Sequence, residues 1–300
     1  MSSRSSRRVV YAALTGNLLV AVTKTIAAFI SGSSAMLSEA VHSAVDSIDQ
    51  MLLLYGMRRA RRPAHEAHPL GHGREIYFWS FVVALLIFSL GAGISIYEGI
   101  LHLHHPEPIH KPLVNYAVLA LAFLFEGWSW TIARREFDRQ RGPRGFFEEF
   151  RRSKDPPAFL VLFEDSAALL GIAIAAVATV LATRFGVERA DGIASILIGL
   201  ILGAIAILLA QESKSLLIGE QADPALREAI VRIAKEVSAV EEVSVVLAVQ
   251  LSPDQIVVAL QLQFPDHFRS PEIAQQIKQI ERQVKVKYPE VLAVFVRPRD

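Results

Sequence analysis

Residues 190–210 have the sequence ADGIASILIGLILGAIAILLA, in which Asp191 is the only charged side chain. An α-helix over this run is about 30 Å long, which matches the hydrocarbon core of a bilayer. Five further apolar stretches of similar length precede it, at roughly 9–31, 34–57, 77–101, 112–133 and 158–183. The sequence therefore predicts a polytopic α-helical membrane protein, with six transmembrane helices over residues 1–210.

Composition narrows the partners and the chemistry. The chain has 300 residues, of which 52% are hydrophobic, and its formal net charge is +1. A net charge this small gives the chain no overall attraction for nucleic acid. The long apolar runs predict a lipid bilayer as its partner. The chain has no cysteine, so a metal site has to use His, Asp and Glu as ligands.

The distribution of cationic residues predicts the orientation. Lys and Arg are concentrated before the first predicted helix and in the loops after the second and fourth, whereas the opposite loops offer only Lys111, Arg184 and Arg189. Cationic loops stay on the cytoplasmic side of a membrane. We therefore expect an integral membrane protein with both termini in the cytoplasm, or in its topological equivalent. A bacterial inner (plasma) membrane is the first choice of host membrane, and an organelle's membrane is the alternative.

Residues 211–300 have the composition of a soluble domain. The pattern predicts, in order, a helix at 223–239, a hairpin of strands at 243–251 and 255–264, a helix from Ser270 to Tyr288 and a strand at 292–296. This α-β-β-α-β order predicts a compact cytoplasmic α+β domain of the ferredoxin-like kind.

The second predicted helix carries an unusual polar stripe of four residues, Glu39, His42, Asp46 and Asp49. Because spacings of three and four return to one face of a helix, these residues share a stripe about 80° wide. An ionisable group near the centre of a membrane costs free energy, so a functional role is the default interpretation of such a residue. His42 and Asp46 suit half of a tetrahedral zinc site, and the alternative is an interhelical hydrogen-bonding network.

The fifth predicted helix supplies two further candidates, Glu164 and Asp165. Adjacent helical residues point about 100° apart, so one of them faces the second helix, and the sequence does not decide which. The alternative is that one of them faces the headgroup region.

Two loops are rich in histidine. The loop after the second helix carries His65, His68 and His72, at workable spacing for a second metal site. The loop after the third helix has His102, His104, His105 and His110, which we interpret as solvated side chains. The alternative is that this loop collects metal at low affinity on the outer side.

Several stretches together resemble the cation diffusion facilitator family of metal–proton antiporters. They are SSAMLSEAVHSAVDS (33–47), HPLGHGREIYFW (68–79), GAGISIYEGI (91–100), RADGIASILIGLILG (189–203) and EIAQQIKQIERQVKVKYPEVLAVFVRP (272–298). EDSAALLG (164–171) resembles the branch of that family that includes a mitochondrial zinc transporter of animals.

The resemblance implies a homodimer whose C-terminal domain pairs across the dimer and regulates transport. It implies a transport site between helices two and five, with His42 and Asp46 as ligands and Glu39 as an accessory. Val161 stands where the family has a ligand four residues before Asp165, and Glu164 substitutes for it. The resemblance also implies a loop metal site at His65, His68 and His72.

A cation at the position of Arg74 pairs with an acidic residue in the family, and here Glu220 or Asp223 could be that partner. His267 is the only histidine of residues 211–300, so a dinuclear zinc site is not expected in that domain.

The expected activity is efflux of a divalent transition metal in exchange for protons. Protons compete with a metal for imidazole and carboxylate ligands, so such a site exchanges one for the other. Zinc is the first choice of substrate, and manganese, iron(II), cadmium and cobalt stay open. The alternatives are a metal-permeable channel and a metal sensor; without a hydrolase or phosphate-binding motif, we do not expect an enzyme.

Overall fold

The structure is a computed structural model that describes residues 3–31, 34–105, 112–141, 143, 145–187, 189–236 and 240–299. The chain folds into two compact units. The membrane unit comprises Ser2–Arg58 and Glu75–Lys214, and the C-terminal unit comprises Arg59–Arg74 and Ser215–Asp300. The loop Arg59–Arg74, which the sequence analysis placed with residues 1–210, thus groups with the C-terminal residues. The predicted boundary after residue 210 lies inside a helix.

The membrane unit is entirely helical in its described part. Its helices are α1 (Ser3–Ser31), α2 (Ser34–Arg59), α3 (Glu75–Leu86), a π-helical segment (Ile87–Ala92), α4 (Gly93–His104), α5 (Pro112–Arg141), α6 (Phe146–Arg152), α7 (Pro156–Phe185) and α8 (Ala190–Ile218).

Five of the described helical segments are long and apolar enough to cross a membrane: Ser5–Ala27, Glu75–His104, Leu113–Arg139, Pro156–Phe185 and Ala190–Ile218. These account for five of the six predicted spans. Helix α2 is not among them, since its polar stripe lowers its hydropathy. A membrane protein of several helical spans is therefore supported, and the count of six stays a prediction.

Glycines allow α4 and α8 to pack backbone against backbone. A Cβ atom on Gly99 would lie 2.8 Å from the carbonyl oxygen of Gly192, and one on Gly199 would lie 2.6 Å from the side chain of Ile96. Such contacts require small residues, as is usual where membrane helices approach closely. They fix the end of α4 against the start of α8.

Helix α5 lies between α1 and α7. A Cβ atom on Gly16 of α1 would be 3.6 Å from the Cβ of Ser129, and Trp130 Nε1 donates a hydrogen bond to Ser166 Oγ of α7 at 2.9 Å. The side chain of Ser6 in α1 also donates to Asp155, the residue before α7. These contacts bring the polar residues of α5 and α7 face to face.

The C-terminal unit contains a three-stranded sheet and two helices. The elements are α9 (Pro224–Glu236), β1 (Glu242–Ser252), β2 (Gln255–Gln263), α10 (Ser270–Lys287) and β3 (Val291–Arg299). Strand β2 lies in the middle, antiparallel to β1 and parallel to β3. The α-β-β-α-β order agrees with the sequence analysis; the ferredoxin-like assignment, whose pattern has four strands, stays a prediction.

The core of this unit follows from strand alternation. Every second residue of β2 is buried, from Ile256 through Val258 and Leu260 to Leu262. Ile230 of α9 and Ile280 of α10 belong to the same apolar cluster and are fully buried. The helices thus cover one face of the sheet.

Candidate metal centre

Three carboxylates from two helices come together inside the membrane unit. Asp46 and Asp49 lie one turn apart on α2, and Glu164 lies on α7. One carboxylate oxygen of each lies within 4.8 Å of those of the other two. Asp49 and Glu164 are buried. Oxygen atoms at this separation can bind one metal ion together.

A hydrogen bond from Gln50 orients Glu164. Gln50 Nε2 donates to Glu164 Oε2 at 2.7 Å, and both side chains are buried. A bond of this kind to a ligand is a common means of fixing its geometry. Among the residues that the structure describes, Asp49 Oδ1 and Gln50 Oε1 are buried and accept no hydrogen bond. The cluster therefore retains capacity to bind a cation.

Asp165 does not join this cluster. Ser129 Oγ of α5 donates a hydrogen bond to Asp165 Oδ2 at 2.7 Å. Because adjacent helical residues point about 100° apart, only one of the two acids can face α2, and the rotation of α7 about its axis gives that place to Glu164. The structure thus separates the two acids of α7 that the sequence left as alternatives.

Glu126 of α5 is an acidic residue that the sequence analysis missed. It is buried, and the charges of Asp46, Lys24 and Asp165 all act on it. The signal was present, because Glu126 is the only charged residue between 112 and 133. A lone acid in the middle of a predicted span is a candidate functional group on the same grounds as the stripe of α2.

The side chains of Glu39 and His42 lie outside the described part of the structure. Helix α2 does contain both positions, and His42 stands one turn before Asp46. Their assignment as accessory residue and ligand stays a prediction.

The three loop histidines also come together. His65 and His68 exchange backbone hydrogen bonds of 3.2 and 2.8 Å, which form a tight turn. This turn brings His65 Nε2 to 3.1 Å from His72 Nε2, and one ring nitrogen of each of the three histidines lies within 4.8 Å of the others. Gly71, at φ 79°, permits the reversal that returns His72 to the turn. Three imidazoles in this arrangement can supply three of the four ligands of zinc.

The same loop packs on the C-terminal sheet. A Cβ atom on Gly73 would lie 3.0 Å from the Cβ of Ser252 and 2.5 Å from Gln255 Oε1, so the glycine lets the loop approach the sheet closely. This contact, at the turn between β1 and β2, explains why the loop belongs to the C-terminal unit.

Arg74 extends to the segment that holds its predicted partner. Its Nη2 atom lies 3.3 Å from the position of a Cβ on Gly219, the residue before Glu220. Asp223 instead caps α9, accepting a hydrogen bond from the backbone N–H of Ala225 at 2.7 Å. Proximity therefore favours Glu220 over Asp223 as the partner of Arg74, and the pairing itself stays a prediction.

Comparisons with known proteins agree with the sequence motifs. The family model for the cation efflux transmembrane domain matches residues 10–218. The chain is 34% identical over 226 residues to the proton-coupled zinc antiporter SLC30A9, mitochondrial, of Xenopus laevis, which covers 75% of this chain and 40% of that protein. It is 29% identical over 297 residues to the protein of that name from Homo sapiens, and this alignment covers 96% of this chain and 52% of that protein.

A plant protein is similar to the same degree. Metal tolerance protein C4 of Arabidopsis thaliana is 34% identical over 225 residues, which cover 74% of this chain and 49% of that protein. The chain spans about half the length of the curated relatives it matches.

The comparisons correct one expectation. The prediction of a bacterial plasma membrane is wrong, because the vertebrate relatives are mitochondrial proteins by name. That the chain is an integral membrane protein agrees with both the comparisons and the apolar helices.

Proposed function

The chain belongs to the cation efflux, or cation diffusion facilitator, family of membrane transporters, and from that premise we propose that it exchanges zinc for protons at Asp46, Asp49 and Glu164. The predicted family membership is confirmed, and so is the prediction that the chain is not an enzyme. The family transports divalent metal cations; the metal, the counter-ion and the ligands are our proposal.

The cluster of three carboxylates is the observation that carries this proposal. Three ionised carboxylates within 4.8 Å of one another repel strongly, above all in the low dielectric of a membrane unit. Such a cluster is stable when it holds either a cation or protons. Binding a divalent metal releases protons from the same oxygens, which is the elementary step of an antiporter.

The case for zinc combines chemistry with similarity. His42, one turn before Asp46, adds an imidazole in our proposal, which gives one nitrogen and three oxygen ligands. Similar proteins from Xenopus laevis and Homo sapiens are zinc antiporters by name. Manganese and iron(II) also accept a carboxylate-rich site and are the alternative substrates.

The test uses purified protein in proteoliposomes that contain a pH-sensitive dye, with zinc, manganese, iron(II) or cadmium added outside. We expect zinc to drive proton movement and Asp46→Asn to abolish it. Asp266→Asn, the same change at an exposed position of the C-terminal unit, is the matched control. Lowering the external pH should raise the zinc concentration needed for half-maximal flux, since protons then compete for the ligands.

The outcomes separate the alternatives. Proton movement with manganese or iron(II) but not zinc would overturn the choice of metal and keep the antiporter. Metal entry without proton movement would replace the antiporter with a channel.

We further propose that His65, His68 and His72 bind a second zinc ion, which regulates transport. Their ring nitrogens already lie within 4.8 Å, and Gly73 ties the loop to the C-terminal sheet. Replacing all three histidines with Gln should remove one bound zinc per chain in equilibrium dialysis, whereas His267→Gln should not. An unchanged stoichiometry in the triple variant would exclude the loop site.

A homodimer is proposed from family membership and from the sheet of the C-terminal unit. Leu247, Ala259 and Phe295 are neighbours across the three strands, and the first and last are 50% and 58% exposed. This apolar row is available to a second copy of the chain. Leu247→Glu should convert dimers to monomers in size-exclusion chromatography with light scattering, and a wild-type monomer would exclude the dimer.

The proposal also keeps two expectations about the fold. One is that α2 is a further span, which makes six, and the other is that the C-terminal unit is ferredoxin-like.

A further inference from the structure

A groove of about 240 Å³ lies on the membrane unit, between the span Glu75–His104 and α8. Its polar lining residues are Gln211 and Lys214 of α8. The rest of the lining is apolar and consists of Phe81, Leu85 and Phe88 from the first span and Ala206, Ile207 and Ala210 from α8. The groove is therefore an apolar channel with a cation beside it.

The groove begins where the close packing of the two helices stops. Gly203 is the last glycine of α8, and a Cβ atom on it would lie 3.5 Å from the Cβ of Ala92 and 4.0 Å from the ring of Phe88. Neither α3 nor the rest of α8 contains a glycine. Larger side chains keep helix backbones further apart, so the two helices leave a gap beyond this point.

The walls of the groove are open to the surroundings of the membrane unit. The side chains of Leu85, Phe88 and Ile207 are 46%, 47% and 49% exposed, and both helical segments are long and apolar enough to cross a membrane. In a bilayer, lipid acyl chains surround such a surface. Hydrocarbon is therefore the material that these walls contact.

The size of the groove fits one extended chain. Phe81 and Phe88 are seven residues apart, which is about 10 Å along a helix, and one leaflet of the hydrocarbon core is about 15 Å thick. Pockets for compact small molecules are larger, at about 300–1,000 Å³. A segment of an acyl chain fills this groove over about two thirds of a leaflet.

Lys214 places a positive charge at one end of the apolar walls. The contact of Gly99 with Gly192, and of Ile96 with Gly199, shows that the two helices run antiparallel. Lys214 therefore lies towards the beginning of α3, near the end of its own span at Ile218. A lysine there extends its ammonium group to the headgroup level, where lipid phosphates lie.

The charge of Lys214 is available to a ligand. Its side chain is exposed and forms no ion pair within the described residues. Glu212 is two residues away and so points about 160° away around the helix. Glu75, at the start of α3, accepts a hydrogen bond from Trp79 Nε1 at 2.9 Å. Basic pockets between transmembrane helices are known to bind anionic lipid headgroups.

We propose that this groove binds an anionic phospholipid, with one acyl chain along the apolar walls and the phosphate at Lys214. The apolar walls accept the chain of any phospholipid. The selection of a headgroup with a net negative charge comes from Lys214, because a zwitterionic headgroup also presents a cation to it. The inference concerns the membrane unit alone and requires no bound metal.

The experiment is native mass spectrometry of the full-length protein in detergent, with dioleoyl phosphatidylglycerol or dioleoyl phosphatidylcholine added. We expect about fivefold more phosphatidylglycerol than phosphatidylcholine to be retained, as expected for one cation near a lipid headgroup. Lys214→Gln should remove this preference. Lys278→Gln, the same change at an exposed position of α10, is the matched control and should keep it.

A second pair of variants tests whether the chain lies in the groove. Ala210→Phe fills the groove and should lower the retention of both lipids several-fold, whereas Ala204→Phe, at an exposed position of α8 outside the lining, should not. Glycerol 3-phosphate, which has the same phosphate without acyl chains, should not displace phosphatidylglycerol, because burial of the chain supplies most of the binding.

Four results would overturn the inference. They are equal retention of the two lipids by the wild type, a preference that survives in Lys214→Gln, retention unchanged in Ala210→Phe, and displacement by glycerol 3-phosphate. Lipid retained by monomers but not by dimers would also overturn it, because a second copy of the chain would then cover the groove. No metal is present in this assay, so a failure of zinc flux leaves the lipid site standing.

Discussion

Gln50→Leu tests whether the hydrogen bond to Glu164 organises the metal centre. The bond is short, at 2.7 Å, buried, and made to a carboxylate. Hydrogen bonds to charged groups contribute about 1.5–3 kcal/mol, and partners of metal ligands typically change metal affinity about 10- to 100-fold. We therefore expect the apparent KM for zinc to rise about 10- to 100-fold.

The same substitution should leave the fold intact. Gln50 Oε1 is buried and accepts no hydrogen bond within the described residues, so leucine also removes an unsatisfied polar atom. Unfolding followed by circular dichroism should therefore give a midpoint close to that of the wild type. Gln211→Leu, the same change at an exposed position of α8, is the matched control.

The assay is zinc-dependent proton movement in proteoliposomes across a zinc titration. A KM for Gln50→Leu within about twofold of the wild type would refute the role of this bond, since twofold corresponds to only about 0.4 kcal/mol. A loss of maximal rate with unchanged KM would also contradict it.

Three further predictions test other contacts. Asp49→Asn should raise the KM for zinc at least about tenfold, as expected for loss of a ligand. Asp165→Asn should change the KM less, because the Asp165 side chain bonds to Ser129 of α5. Equal effects of the two variants in the same flux assay would contradict the exclusion of Asp165 from the metal centre. Arg74→Glu should lower the thermal unfolding midpoint, and adding Glu220→Arg should recover it, with a failure to recover excluding the pair. Glu126→Gln should change the pH profile of zinc transport, because it removes a charge that acts on Asp165, and an unchanged profile would assign Glu126 to packing alone.

Periodicity predicted the parts of the site that depend on a single helix. The stripe of α2 follows from spacings of three and four, and the structure has Asp46 and Asp49 on one side as expected. The choice between Glu164 and Asp165 depends on how α7 is rotated about its own axis. That rotation is set by contacts with α5, such as the bond between Trp130 and Ser166, which leave no local signal in the sequence.

The loop histidines illustrate the same limit. Their spacing in the sequence predicted a possible site, but the geometry comes from a turn that depends on the left-handed backbone of Gly71. This loop also approaches the C-terminal sheet closely, where Gly73 meets the turn at Ser252. These contacts join residues that are far apart in the chain, so the pattern of hydrophobic residues does not predict them.

The family has two ligands on helix five, and this chain lacks the first of them. Charge explains how its site can still serve an antiporter. With Val161 at that position, the described ligands are all carboxylates, and they carry three negative charges when ionised. A bound dication reduces this total to one negative charge, and two bound protons give the same total. Because an uncompensated charge in a membrane costs about 2.5–3.5 kcal/mol or more, the empty cluster is the least stable form. Under the proposed exchange, protons therefore replace the metal ion directly, because an empty carboxylate site is less stable than either bound form. This coupling of metal release to proton binding distinguishes an antiporter from a channel.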